Sequence, residues 1–255
     1  VRTPGRQRQS IAESSFDAWI KLYKRDENAN NALISYYSKG SLVALALDLL
    51  IRRETAGKRS LDDVMRVLWA RHGATGQGIG EAEFEALAED VSGVPLASFF
   101  AATVHGTADP DLVAALAGVG VALTWEVPAL ETGGNDWYVP ALGAGCRREG
   151  EAVALAYVDA GGAAHAAGLS AGDRFIALDG IRLDADNFLR RMGDARPGDS
   201  GSVHAFRRDV LMQFDLTFAQ PQATAARLEL ESAEGAAEAA TLRDAWLGSV
   251  ADRAH

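Results

Sequence analysis

Two neighbouring tyrosines, Tyr36 and Tyr37, head the stretch ISYYSKGSLVALALDLLIRRE, residues 34–54. From Leu42 to Ile51 nearly every position is Leu, Val, Ile or Ala, so no side of a helix here is polar enough to face water along its length. The spacing predicts a buried helix. A phenol where such a helix emerges is either a hydrogen-bonded structural group or part of a site. The remaining groups able to do chemistry are sparse. The five histidines, His72, His105, His165, His204 and His255, lie far apart. No pair has the four-residue spacing that sets two imidazoles on one helical face, so no zinc site is expected from them. Cys146 is the single cysteine, which excludes an internal disulfide and cannot by itself form a thiolate metal site.

The 255 residues, 48% hydrophobic and 24% charged, have an ordinary globular composition and suffice for one large domain or two smaller ones. A formal net charge of -10, with arginines scattered among acids, argues against a nucleic-acid or anionic-membrane partner. No apolar run approaches the roughly 18 to 20 residues that span a bilayer. Asp48 and then Arg52 and Arg53 interrupt the longest, so a soluble chain without a membrane span is expected. The start, VRTPGRQRQS, has neither an initiator Met nor a signal-peptide core. It reads as a cut, with any targeting segment upstream, and the compartment stays open between cytoplasm and periplasm.

The elements that must position these residues change character midway. Ser60-Leu61-Asp62-Asp63 has capping-box spacing before an apolar stripe, Val64, Val67 and Leu68, with Gly73 as the stop. Phe84, Leu87, Ala88 and Val91 predict a second helix ended by Gly93. Pro95 opens a third running to Gly106, and Asp109-Pro110 a fourth reaching about Gly118. Val119, Val121, Leu123, Trp125 and Val127 then alternate with smaller or polar residues, which is strand periodicity. Residues 131–136, polar and glycine-bearing, are the linker candidate. Beyond them short strands are expected at 153–158, 174–178, 202–207 and 211–218, with one short helix near Asp186 to Met192. The tail from Gln222 is expected to be helical and docked through Trp246. This gives a multidomain α + β chain: a helical bundle over 1–130, a small β-rich domain over 131–220 and a helical tail over 221–255.

Residues 161–180, GGAAHAAGLSAGDRFIALDG, carry a pattern of their own. Gly168 and Gly172 supply tight turns, Asp173 can bond turn amides, and Phe175, Ile176 and Leu178 form a buried strand ending in the Asp179-Gly180 hairpin signal. The run resembles the Ala-Gly-Leu-x-x-Gly-Asp core of bacterial PDZ domains. That resemblance implies a groove taking an extended peptide as an added strand, its C-terminal carboxylate held by the amides of Leu142, Gly143 and Ala144. Phe188, Leu189 and Met192 would wall the side-chain pocket. The short helix is compressed relative to peptide-binding members, so a PDZ domain that packs internally and binds no free peptide stands beside this reading. His165 reads as a solvated loop residue.

The run from Gly5 to Trp69, with the later SGVPLASFF at 92–100, resembles the C-terminal part of the catalytic domain of glycyl aminopeptidase-like zinc metallopeptidases. These are gluzincins with a thermolysin-like zinc domain and a PDZ domain further on, the order found here. In that family a Tyr-x-Lys-Gly tyrosine hydrogen-bonds the developing oxyanion. Tyr37-Ser38-Lys39-Gly40 matches, so the resemblance implies this role for Tyr37, or for Tyr36 if the register differs by one. One such donor is worth roughly 3–4 kcal/mol of transition-state stabilisation. Gly40 would let backbone pack closely and Lys39 would pair with an acid. The alternative is that both tyrosines are interface aromatics with satisfied hydroxyls. The family's His-Glu-x-x-His motif and general base are absent from this chain. Zinc is therefore expected in a longer parent and not in this chain, which alone is expected to be inactive. The implied partners are a peptide substrate and a peptide or protein C-terminus. A different class also stands: a non-catalytic PDZ scaffold with a degenerate peptidase domain. Cutting the helical half could also expose an apolar face and make the chain dimerise.

Overall fold

The computed structural model describes residues 3–80, 82–130, 134–231 and 237–248. Helices come first: α1 (Ile11–Phe16), α2 (Ala29–Ala32), α3 (Tyr36–Glu54), α4 (Leu61–Leu68), α5 (Glu83–Ser92), α6 (Ala97–Phe100) and α7 (Leu112–Ala117). Strands β1 (Val121–Glu126), β2 (Asp136–Val139), β3 (Ala144–Glu149) and β4 (Ala152–Val158) follow, then α8 (Ala163–Ala166). Next are β5 (Arg174–Leu178), β6 (Ile181–Arg182), α9 (Phe188–Asp194), β7 (Ser200–Arg207), β8 (Val210–Thr217), β9 (Ala225–Leu230) and α10 (Ala237–Leu247). The chain divides into two compact units, and their boundaries differ from those expected at 130 and 220. Residues 3–8 and Trp19–Leu33 belong with Trp125–Ala225, and the tail from Ala226 belongs with Gln9–Ala18 and Ile34–Thr124.

In the helical unit, α3 serves two cores. Leu47 and Ile51 pack with Val64, Ala88, Leu96 and Phe100, whereas Leu49 packs with Leu116, Val119, Leu123 and Leu242. The helix is not buried all round as its composition suggested: Tyr37, Ser41, Leu42 and Ala44 are exposed. Contrary to the sequence expectation, a window within Ala29–Glu54 is apolar and long enough to cross a membrane by length and composition. A third of that window is buried, and its apolar residues from Leu47 on enter the two cores. Buried Arg52 donates to Asp48 at 2.9 Å and to the Ala245 carbonyl at 3.1 Å, and the other Asp48 oxygen accepts from the Leu61 amide at 2.8 Å. The charges that interrupt the apolar run thus tie α3 to α4 and α10.

Ser60 and Asp63 form the expected capping box, and Gly93, at φ +69°, ends α5 in the left-handed region. Two starts move: α6 begins at Ala97, its amide and that of Leu96 held by the Glu89 carboxylate, and α7 is capped by Asp111 rather than Asp109. The tail is not all helix, because β9 pairs with β1 before α10 docks through Leu242 and Trp246. Its last residues, 249–255, and linker residues 131–133 lie outside the described residues.

In the β unit an antiparallel sheet runs β2-β3-β4-β5-β7-β8, with β6 paired to β5. Its core includes Trp137, Leu142, Leu155, Phe175, Phe188, Val203 and Leu216. The Asp179-Gly180 hairpin forms as expected, both residues at positive φ and Leu178 opposite Ile181. Asp173 accepts the Ser170 amide at 2.9 Å, as its turn position suggested. Arg207 adds a bidentate pair to the same carboxylate at 2.7 and 2.8 Å.

Candidate functional site

The head of α3 is built rigidly. Ser35 caps it by accepting the Ser38 amide at 3.2 Å. The preceding residue, Ile34, donates to the Gln9 side chain at 3.1 Å and accepts from the Ser14 hydroxyl at 2.5 Å, both partners being buried. Lys39 is buried as well: its ammonium donates to the Thr107 carbonyl at 2.9 Å and lies 3.6 Å from Asp109, the acid partner the sequence left unnamed. Tyr37 is presented by this clamped turn with 62% of its surface exposed, and its ring lies 4.2 Å from that of half-buried Tyr36. The expectation for Gly40 fails, since a Cβ built there meets nothing within 4 Å. Gly5 is where close packing is found: a Cβ would lie 2.3 Å from the Leu33 carbonyl oxygen. This arrangement can offer a phenol donor from a fixed backbone.

Two histidines have carboxylate partners. His72 lies 3.2 Å from Glu83 and His105 lies 2.6 Å from Glu85. Among the described residues, no group of three or more His, Cys, Asp or Glu side chains could hold a metal ion. The described residues do not supply a ligand set for the zinc that the family resemblance implies.

The loop assigned to carboxylate capture is already engaged. The amides of Leu142 and Gly143 both donate to the Val139 carbonyl at 3.0 Å. Leu142 and Ala144 are wholly buried, and Phe188 and Met192 lie in the core with Leu189 packed against it. Leu142, Ala144, Phe188, Leu189 and Met192 belong to one hydrophobic core rather than to an open groove, with Gly143 in the adjoining turn. Gly143 needs its glycine: its φ is +62°, and a Cβ would approach the Gly162 Cα to 2.9 Å. Cys146 faces the same core, and burial pushes its thiol from an ordinary 9.0 up to about 12, so it is no nucleophile. Sequence reasoning missed a cleft of about 640 Å³ on the opposite sheet face, where Arg25, Glu27 and Asn30 share its lining with Asp136, Tyr138, Arg147 and Tyr157. The aromatic and Gly alternation of β2 and β3 was the available signal, obscured by their brevity.

Comparison with known proteins gives two aminopeptidase matches. A family model described as M61 glycyl aminopeptidase matches residues 1–43, which include the head of α3. The crystal structure of an aminopeptidase N family protein from Idiomarina loihiensis is 31% identical, with a TM-score of 0.84, over 96% of this chain and 42% of that one. The chain thus spans less than half the length of that relative. An HtrA-type protease with decapeptide matches at 20% identity over 36% of this chain and 31% of its own, with a TM-score of only 0.29. No curated protein matches.

Proposed function

We propose that this chain is the C-terminal part of a zinc-dependent aminopeptidase that removes N-terminal residues from peptides, followed by a PDZ-like module. The observation that carries the reading is the likeness over nearly the whole chain to the aminopeptidase N family protein. The M61 match at the head of α3 supports it. Tyr37 serves as a hydrogen-bond donor to the oxyanion that develops during peptide hydrolysis. Its exposure on a turn fixed by Gln9, Ser14 and Lys39 supports that role, because a preorganised donor costs no reorganisation when the charge appears. The metal and the general base would come from residues outside this chain, which on its own would not hydrolyse peptides.

Elemental analysis of the full-length protein, with the 255-residue chain as control, tests the reading. One equivalent of zinc in the longer protein and none in the chain is expected. Zinc in neither would favour a non-catalytic scaffold, and peptide hydrolysis by this chain alone would overturn the division of labour.

A further inference from the structure

An extended peptide joining a sheet needs an open strand edge, backbone amides for its terminal carboxylate and a slot for its side chains. In the β unit all three are filled from within. The edge of β3 is paired antiparallel with β2, register Asp136↔Arg147, Trp137↔Cys146, Tyr138↔Gly145 and Val139↔Ala144. The pairing extends one step further, the Arg148 amide donating to the Asn135 carbonyl at 2.7 Å. β2 runs into the 140–143 loop, where the Leu142 and Gly143 amides close the turn by donating to the Val139 carbonyl at 3.0 Å, so neither is open to a carboxylate. The side-chain slot is taken too. Trp137 and Val139 point inward at 5% and 1% exposure, and the indole stacks on Phe188 of α9 with centroids 6.2 Å apart and planes 19° from parallel. The indole N–H, donating to the Gly134 carbonyl at 3.1 Å, fixes the ring.

We infer that β2 is a resident ligand strand: Asp136–Val139 occupies the peptide groove of the module, with Val139 in the place of a C-terminal residue, so a free peptide enters only by displacing it. The inference rests on reading the β unit as a peptide-binding module. Recognition is then conditional on release of β2, and the chemistry selected is that of β2 itself, an aromatic residue two positions before a β-branched C-terminus.

The test uses the full 255-residue chain and a fluorescein-labelled peptide of sequence NDWYV with a free C-terminal carboxylate, matching residues 135–139. Fluorescence anisotropy should show no saturable binding to the natural sequence. Trp137→Ala, which empties the indole slot, should bind the peptide at least roughly tenfold more tightly, and the C-terminally amidated peptide more weakly. Equal binding by both proteins would overturn the resident strand while leaving peptide recognition intact. A folded Trp137→Ala protein that binds nothing would overturn both. If the variant does not fold, hydrogen exchange on the natural protein decides. The Leu142 and Gly143 amides should exchange as slowly as those of the central strands, and exchange at the rate of an exposed loop overturns the proposal.

Discussion

Removing Arg207 should weaken the β unit more than neutralising its partner. The Asp173 carboxylate is completely buried, whereas the Arg207 side chain keeps 31% of its surface in water. In Arg207→Met the carboxylate loses both guanidinium bonds and keeps, among the described residues, the Ser170 amide. Each charge-assisted bond contributes roughly 1.5–3 kcal/mol, and partial solvent access trims the sum, so a loss of about 3 kcal/mol is expected. Loss of the guanidinium over the Phe214 ring, 5.0 Å away, acts in the same direction. Asp173→Asn leaves a guanidinium that turns to water and an amide oxygen able to accept from Ser170, so about 1–2 kcal/mol is expected. Hydrogen exchange of β4 and β7 amides under increasing urea isolates this unit from the helical one. Equal losses, or a larger loss for Asp173→Asn, would refute the argument that unequal burial sets the cost.

Other expectations follow from single contacts. On the proposed oxyanion role, Tyr37→Phe in the full-length protein should lower peptide turnover by roughly 10²–10³ with metal content unchanged, and steady-state kinetics beside metal analysis checks it. Gly143→Ala should destabilise the β unit by about 1–3 kcal/mol, since its positive φ and the Gly162 backbone leave no room, and urea unfolding reads this directly. Lys39→Met should cost about 1–3 kcal/mol by orphaning the Thr107 carbonyl, while Asp109, 41% exposed, rehydrates. Because burial raises the Cys146 thiol in the folded state, its contribution is intact below pH 9.0 and is lost as pH rises towards about 12. The expected slope is about 1.4 kcal/mol per pH unit, which Cys146→Ala should abolish in urea titrations across that range.

The helix caps were legible because they are local: Ser60 with Asp63, and Gly93 after Val91, need only their own neighbours. The Gly168 to Gly180 run was legible for the same reason, since turn glycines and a hairpin dipeptide act over a few residues. Strands β2, β3 and β9 were not. β2 has four residues, β3 is Ala-Gly-Cys-Arg-Arg-Glu and β9 is rich in Ala, Leu and charge, so none has strong intrinsic preference and each is held by its pairing partner. The tail was read as helix for that reason.

The candidate site divides in the same way. Tyr37 is singled out through the family resemblance of the Tyr-x-Lys-Gly run, which also leads Lys39 to be expected beside an acid, but which acid could not be read, because Asp109 is brought close by the turn before α7. The sequence by itself determined the α-to-β change of character, the apolar α3, the capped helix starts and the absence of a two-histidine zinc spacing within the chain. Only the tertiary structure decided that Asp48 and Arg52 are a buried tie rather than an interruption, that Arg207 closes on Asp173, and that Val139 occupies the amides expected to await a peptide. Caps and turns depend on neighbours a few residues away, whereas these contacts join elements whose approach no local pattern encodes.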